Sequence, residues 1–240
     1  MGGFKIISYA AEICNLRKVY RVGEEKVVAL DNVSFALEKG ETTCILGVSG
    51  SGKSTLLNMM AGLEKPTKGI IKIYGKNIEK MDERLLARFR QFNVGFVFQS
   101  YNLLPALTAL ENVSLPLTFR GIARKKRDKM AMDMLEAVGL KNHLKHKPSQ
   151  MSGGQQQRVG IARAFVSRAK IVFADEPTGN LDSATTNEVM ELITKISKEN
   201  RQNLVIVTHD IGVAKYADRI IHLFDGNIEK IENNTEKGVG

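Results

Sequence analysis

The run Gly47-Val48-Ser49-Gly50-Ser51-Gly52-Lys53-Ser54-Thr55 fits the pattern G-x-x-x-x-G-K-S/T, the spacing of a Walker A phosphate-binding loop. Its chemistry follows from the residue types. Gly47, Gly50 and Gly52 let the backbone curl until the N–H groups of the loop, those of Ser49 and Ser51 included, point at a bound phosphate. The helix that follows adds its positive N-terminal end. Lys53 neutralises the terminal phosphates, Ser54 offers its hydroxyl to magnesium, and Thr55 ends the motif.

Two more constellations carry acids and a second anion-seeking turn. Ile171-Val172-Phe173-Ala174-Asp175-Glu176 is four apolar residues running into two carboxylates. Ligands of open parallel sheets bind at the carboxyl ends of strands, which puts Asp175 beside the loop as a Walker B residue holding magnesium through water. Glu176, where strand gives way to loop, can polarise a water for attack on the γ-phosphate. Met151-Ser152-Gly153-Gly154-Gln155 leads into an expected helix from Gln156 to Arg168 and makes another phosphate-seeking helix start. Ser152 follows Gly52 by 152 − 52 = 100 residues. The simplest geometry using both is a head-to-tail dimer with nucleotide between the two copies.

These groups need strands and helices in a set order. The first third reads as strands at Ala10 to Tyr20, Val27 to Leu30, Val33 to Leu37 and Thr42 to Leu46, an antiparallel layer with one wet face. Ser54 to Leu63 reads as a helix and Ile70 to Tyr74 as a strand. From about Met81 to Phe165 the texture is helical, with a capping box at Thr108 and Glu111 and a helix from Met130 to Val138, interrupted by a strand at Val94 to Phe98. The last third gives strands at Ile171 to Ala174 and Leu204 to Val207, a helix from Ser183 to Asn200, and a hairpin turning at Asp225-Gly226. The expectation is an α/β fold: a P-loop NTPase core, a mostly parallel sheet flanked by helices, with an N-terminal antiparallel β layer and a helical subdomain. One domain is expected, with residues 1–90 and 166–232 as core plus β layer, about 91–165 as the helical subdomain, and 233–240 as a frayed tail.

At 240 residues and 43% hydrophobic the chain can bury a sizeable core, which excludes disorder. No stretch approaches the roughly 20 apolar residues of a membrane span. The N-terminus lacks the pattern of a secretion signal, and Ile6 stands where myristoylation prefers Ser or Thr, so a cytosolic chain is expected. Cys14 and Cys44 each lie in an apolar run with no metal-ligand spacing and read as small core residues. The net charge of +9 is concentrated between Arg120 and Lys147, where nine Lys/Arg less three Asp/Glu leaves +6, and an anionic partner is one reading of it.

Together the motifs resemble the ABC ATPase family, over about Ile13 to Ile231. The resemblance implies ATP and magnesium as cofactors and further site residues. Gln99 resembles the Q-loop glutamine, which touches magnesium and the attacking water. Asn180-Leu181-Asp182 resembles the D-loop, with Asp182 at the dimer interface. His209 resembles the switch histidine at the γ-phosphate, and Tyr20 the aromatic that stacks on adenine. Met151 replaces the usual leucine and Val48 a frequent proline, and neither removes a reacting group. Val19-Tyr20, Gly95-Phe96-Val97-Phe98-Gln99 and Thr108 to Val113 look like the branch serving macrolide efflux, lipoprotein release and antimicrobial-peptide export.

The resemblance implies an ATP-hydrolysing subunit, peripheral on the inner face of the cell membrane, that pairs with a second copy or a homologous cassette and drives a separate membrane permease. A regulatory cassette that moves no cargo is an alternative. A cassette acting on nucleic acid, suggested by Arg124-Lys125-Lys126-Arg127, is disfavoured because no coiled coil or zinc module separates Ser152 from the loop. No specific nucleic acid is expected as a partner.

Overall fold

Thr42–Leu46 (β3) holds the centre of a six-stranded sheet ordered β10-β9-β3-β8-β7-β6 in the computed structural model, which describes residues 9–234. Asn203–Thr208 (β8) and Arg219–Phe224 (β9) flank it, Ile171–Asp175 (β7) and Val94–Phe98 (β6) extend the sheet beyond β8, and all run parallel to it. Asn227–Asn233 (β10) closes one edge antiparallel to β9, through the expected turn at Asp225-Gly226. β3 and β8 are buried at every position, as unbroken apolar runs in a sheet covered on both faces must be.

A second, four-stranded antiparallel sheet is ordered β2-β1-β4-β5. It comprises Ala11–Val22 (β1), Glu25–Leu37 (β2), Lys68–Ile73 (β4) and Lys76–Asn77 (β5). Two strands were expected between Val27 and Leu37; the chain makes one, because Asn32 takes a left-handed turn (φ 53°) that shifts register without ending the pairing with β1. Between the sheets lies the helix after the loop, Lys53–Met60 (α1), whose Leu56, Leu57, Met59 and Met60 join Ile13, Leu30, Ile71 and Phe173 in one core. Burying Phe173 fully contributes about 1.5–3 kcal/mol.

The opposite face of the parallel sheet packs on helices. Ala109–Phe119 (α3), Arg124–Ala137 (α4) and Gly153–Phe165 (α5) lie there, whereas Glu83–Asn93 (α2), just before β6, sends Leu86 and Phe89 into the first core. Val113, Leu135, Val159 and Phe165 of this lobe share a second core with Val172 and Ile206 of the sheet. Ser183–Glu199 (α6) and the short Ile211–Ala214 (α7) complete the chain. α4 starts six residues before the expected Met130, because its basic first turn is helical although uncapped. α5 starts at Gly153 and not Gln156, since Ser152 caps it three residues early.

Two expectations fail. Cys44 is buried in the core, and burial pushes its thiol up to about 12, but Cys14 is exposed. The left-handed turn at Asn15 (φ 47°) breaks the alternation of β1, so Cys14 faces out while Ile13 and Leu16 face in. The tail was expected to fray from Asn233; that residue is the last of β10, and Asn234 donates from its side chain to the carbonyls of Lys215 and Ala217 at 2.9 and 3.0 Å. The N-terminal readings at Met1, Gly2 and Ile6 and the remainder of the tail lie outside the described residues. Among the described residues, no helix is long and apolar enough to cross a membrane.

Candidate active site

Four adjacent parallel strands deliver four motifs to one edge of the sheet. In spatial order β3, β8, β7 and β6 end in the loop from Gly47, in Thr208-His209, in Asp175-Glu176 and in Gln99. A cleft of about 660 Å³ opens there, lined by Ala29, Val48, Ser49, Gly50, Gly52 to Thr55, Gln99, Glu176 and His209. This is the carboxyl-end crevice that the topology of a parallel sheet provides.

The loop is tight enough to require its glycines. A Cβ on Gly47 would stand 2.2 Å from the Leu223 carbonyl oxygen, and one on Gly52, at φ 98°, would stand 2.5 Å from that of Ala29. Gly52 is also the N-cap of α1 and supplies no side-chain cap, so the first N–H groups of the helix stay available. Lys53 is buried to 7% exposure and folds its ammonium back onto the Val48 carbonyl oxygen at 2.7 Å. Ser51 is buried with its hydroxyl unpartnered.

The acids are held differently. Asp175 ends β7 with a carboxylate oxygen 3.4 Å from the Ser54 hydroxyl. Burial first, then the neighbouring Glu176 charge, raise the Asp175 carboxyl above its ordinary value, against the pull of Ser54 and Lys53. Glu176 sits in the left-handed region at φ 44°, a strained conformation for a non-glycine residue, and its N–H bonds the Val207 carbonyl at 2.9 Å. That bend turns its side chain away from Asp175's line. One Glu176 oxygen meets His209 Nδ1 at 2.8 Å and the other accepts from the Thr208 hydroxyl at 3.0 Å. The His209 side chain is 67% exposed, so it is held from one side only.

Gln99 follows β6, and its backbone carbonyl accepts from the Asn180 amide at 3.0 Å. Gly179 is as close: a Cβ there would stand 2.7 Å from Gln99 Nε2. The segment preceding α6 therefore braces Gln99, while Asp182 caps α6 itself and does not line the cleft. Asp182 is lowered by hydrogen bonds from Thr185.

Two groups of expected site residues stand apart. Ser152, Gly153, Gly154 and Gln155 form the start of α5 and do not line the cleft. Ser152 accepts from the Gln155 N–H at 3.3 Å, and Gln155 accepts from the Ser152 N–H at 3.0 Å, a capping box. Tyr20 also lies off the lining, on β1, with its phenol bonded to Glu64 at 2.7 Å.

Sequence reasoning missed Thr208 and Arg163. Thr208 lies one residue past the strand expected at Leu204 to Val207, and its place beside His209 is a usable signal. Arg163, on α5, donates to the carbonyl of Tyr101 at 2.7 Å and to that of Asn102, both left-handed residues just beyond Gln99. No motif marks it.

Similarity to known proteins agrees with this geometry. The family model described as ABC transporter matches residues 30–179. An uncharacterized ABC transporter ATP-binding protein of Thermotoga maritima is 49% identical, with 92% of this chain and 94% of that protein covered. The macrolide export ATP-binding/permease protein MacB of Salmonella typhimurium is longer: 45% identity covers 90% of this chain but 33% of that protein. Among solved structures, the ATP-binding cassette MJ0796 of Methanocaldococcus jannaschii, a post-hydrolysis dimer bound to ADP and Pi, superposes with TM-score 0.87 at 44% identity, covering 93% of this chain and 98% of that one. With the family model matched over residues 30–179 and a relative 49% identical along nearly its whole length, the chain belongs to the ABC transporter family.

Proposed function

We propose that this chain is the ATP-hydrolysing cassette of a membrane transporter, working as a pair around two ATP molecules. The observation that carries the reading is the meeting of Lys53, Gln99, Glu176 and His209 at one cleft, from four strand ends. The loop N–H groups and Lys53 bind the phosphates, and the lysine leaves Val48 to do so. Glu176 accepts the proton of the attacking water as oxygen adds to the γ-phosphorus and ADP leaves, giving ADP and phosphate. Thr208 and His209 hold the Glu176 carboxylate at its two oxygens, and His209, being exposed, is free to turn toward the γ-phosphate.

Ser54, Asp175 and Gln99 form an all-oxygen donor set that suits a hard cation, and the raised Asp175 carboxyl is a group that a bound cation would keep ionised. Magnesium held there supplies charge neutralisation for the phosphates. Ser152 to Gln155 cannot serve the cleft of their own chain, since they do not line it. They serve a second cassette, with Asp182 at the contact between the two.

A membrane subunit has a place to dock. A groove of about 710 Å³ between α2, α3 and α5 is lined by Arg88, Phe96, Phe98, Leu115, Phe119 and Arg163. Arg163 is shared by this groove and the Gln99 loop, so a segment seated there bears on the cleft. A cassette docked in this way is peripheral to the membrane, and the inner face is the side on which we place it. In the basic run at α4, Arg124 and Arg127 lie 3.6 and 3.9 Å from Asp128, so one carboxylate offsets part of the charge.

The test is Glu176→Gln with ATP. We expect hydrolysis to fall by about 10²–10⁴-fold and the chain to elute from a sizing column as a dimer. A variant that hydrolyses at the normal rate would remove Glu176 from the mechanism.

A further inference from the structure

We propose that Glu64 and Lys18 are positioning residues for nucleobase recognition, fixing the Tyr20 ring with one face covered and the other left to the base. The inference rests on the reading of Tyr20 as the base platform. Glu64 lies in the loop between α1 and β4, where its two carboxylate oxygens take separate partners. One accepts from the Tyr20 phenol at 2.7 Å and the other pairs with the Lys18 ammonium at 2.7 Å. The same ammonium sits 5.0 Å from the centroid of the Tyr20 ring and donates to the Lys65 carbonyl at 2.8 Å. Lys18 and Tyr20 are neighbours on one face of β1, two residues apart, so the ammonium covers one side of the ring.

The cluster is anchored to the phosphate site. The Glu64 N–H bonds the carbonyl of Asn58 on α1 at 3.3 Å, and α1 is the helix that starts at the loop. The loop carrying Glu64 is tied back to β1, since the Val19 N–H donates to Thr67 Oγ1 at 3.0 Å and the Thr67 N–H to the Arg17 carbonyl at 2.9 Å. Ring and carboxylate are thus tied to the phosphate-binding helix before any nucleotide arrives.

Two consequences follow. Holding the ring in place removes the ordering cost of one side chain from nucleotide binding, worth about two- to tenfold in affinity. A cation on the covered face withdraws electron density from the ring, which favours stacking with an electron-rich purine on the open face.

The experiment compares equilibrium binding of ATP and of inorganic tripolyphosphate to the full chain, because tripolyphosphate has the phosphates without the base. For Glu64→Ala we expect ATP affinity to fall by about three- to tenfold with tripolyphosphate unchanged. Glu64→Gln, which keeps an acceptor for the phenol but loses the ion pair, falls between that variant and the parent. Unchanged tripolyphosphate binding also certifies that each variant is folded. If Tyr20→Ala leaves the ratio of the two affinities where it was, the platform reading fails and the inference with it. If Tyr20→Ala shifts the ratio while Glu64→Ala does not, the platform stands and the positioning role is overturned.

Discussion

The helices that begin at Lys53 and at Gly153 both turn a positive end toward solvent, but they treat their first N–H groups in opposite ways. At α1 the cap is Gly52, left-handed and without a side chain, and no acid occupies the first turn. At α5 Ser152 and Gln155 satisfy the end reciprocally. The first end is open, and its N–H groups are left to water or to a ligand's oxygens. The second has its Ser152 and Gln155 N–H groups satisfied within the chain, which leaves those of Gly153 and Gly154 to be offered, in the proposed pair, to a nucleotide held by another cassette. Under the proposed function the difference orders their use: the open end binds nucleotide first, and the capped end joins when two cassettes meet.

Removing the cation at the open end gives the largest expected effect. Lys53→Ala should weaken ATP binding by about 30-fold or more, the scale for losing one partner of a desolvated charge pair. Folding should suffer little, by about 1 kcal/mol, because in the nucleotide-free chain the ammonium satisfies only the Val48 carbonyl. Titration with a fluorescent ATP analogue, beside a thermal melt, separates the two. Equal losses in both would mean that Lys53 is structural and that the ends do not differ as described.

The capped end should show the reverse partition. Ser152→Ala removes the side-chain half of the box and should cost about 1 kcal/mol of stability, a cap's usual worth. ATP affinity of the monomer should be unchanged, while the steady-state hydrolysis rate falls by about tenfold or more, since one hydrogen-bond donor to the shared nucleotide is lost. Measuring affinity below the concentration at which dimers form, and hydrolysis above it, makes the split visible.

How much of this could be read from the residues follows from what each feature depends on. The loop, the acids after β7 and the strand at Val94–Phe98 were legible because each is fixed by local pattern: glycines, an unbroken apolar run, a polar stop. The capping box at Thr108 and Glu111 was legible for the same reason and is present. Cys14 was misread because the turn at Asn15 is a bulge set by pairing with two strands, which periodicity does not record. The early start of α5 escaped because Gly153 and Gly154 are poor helix formers, and the Ser152 cap outweighs them. Contacts between distant segments were illegible. Arg163 against the Gln99 loop and Glu64 against Tyr20 span 62 and 44 residues.

The smallest expected effect concerns the acids that face the open end, which the capped end lacks. Burial raises the Asp175 carboxyl, so the folded chain binds that proton more tightly than the unfolded one. Such a group stabilises the fold below the ordinary aspartate range, and its contribution is lost as pH rises through the raised folded value. At neutral pH without nucleotide, Asp175 is therefore a cost, increased by the Glu176 charge beside it. Asp175→Asn should raise the melting temperature of the nucleotide-free chain at pH 7 by a few degrees at most, and the gain should shrink as the pH falls into the range where the aspartate takes up its proton. The same variant should lose the stabilisation that magnesium and ATP together confer on the parent. A melting temperature at pH 7 below the parent's would show that Asp175 is held by its bond to Ser54, and that the open end is less open than its cap implies.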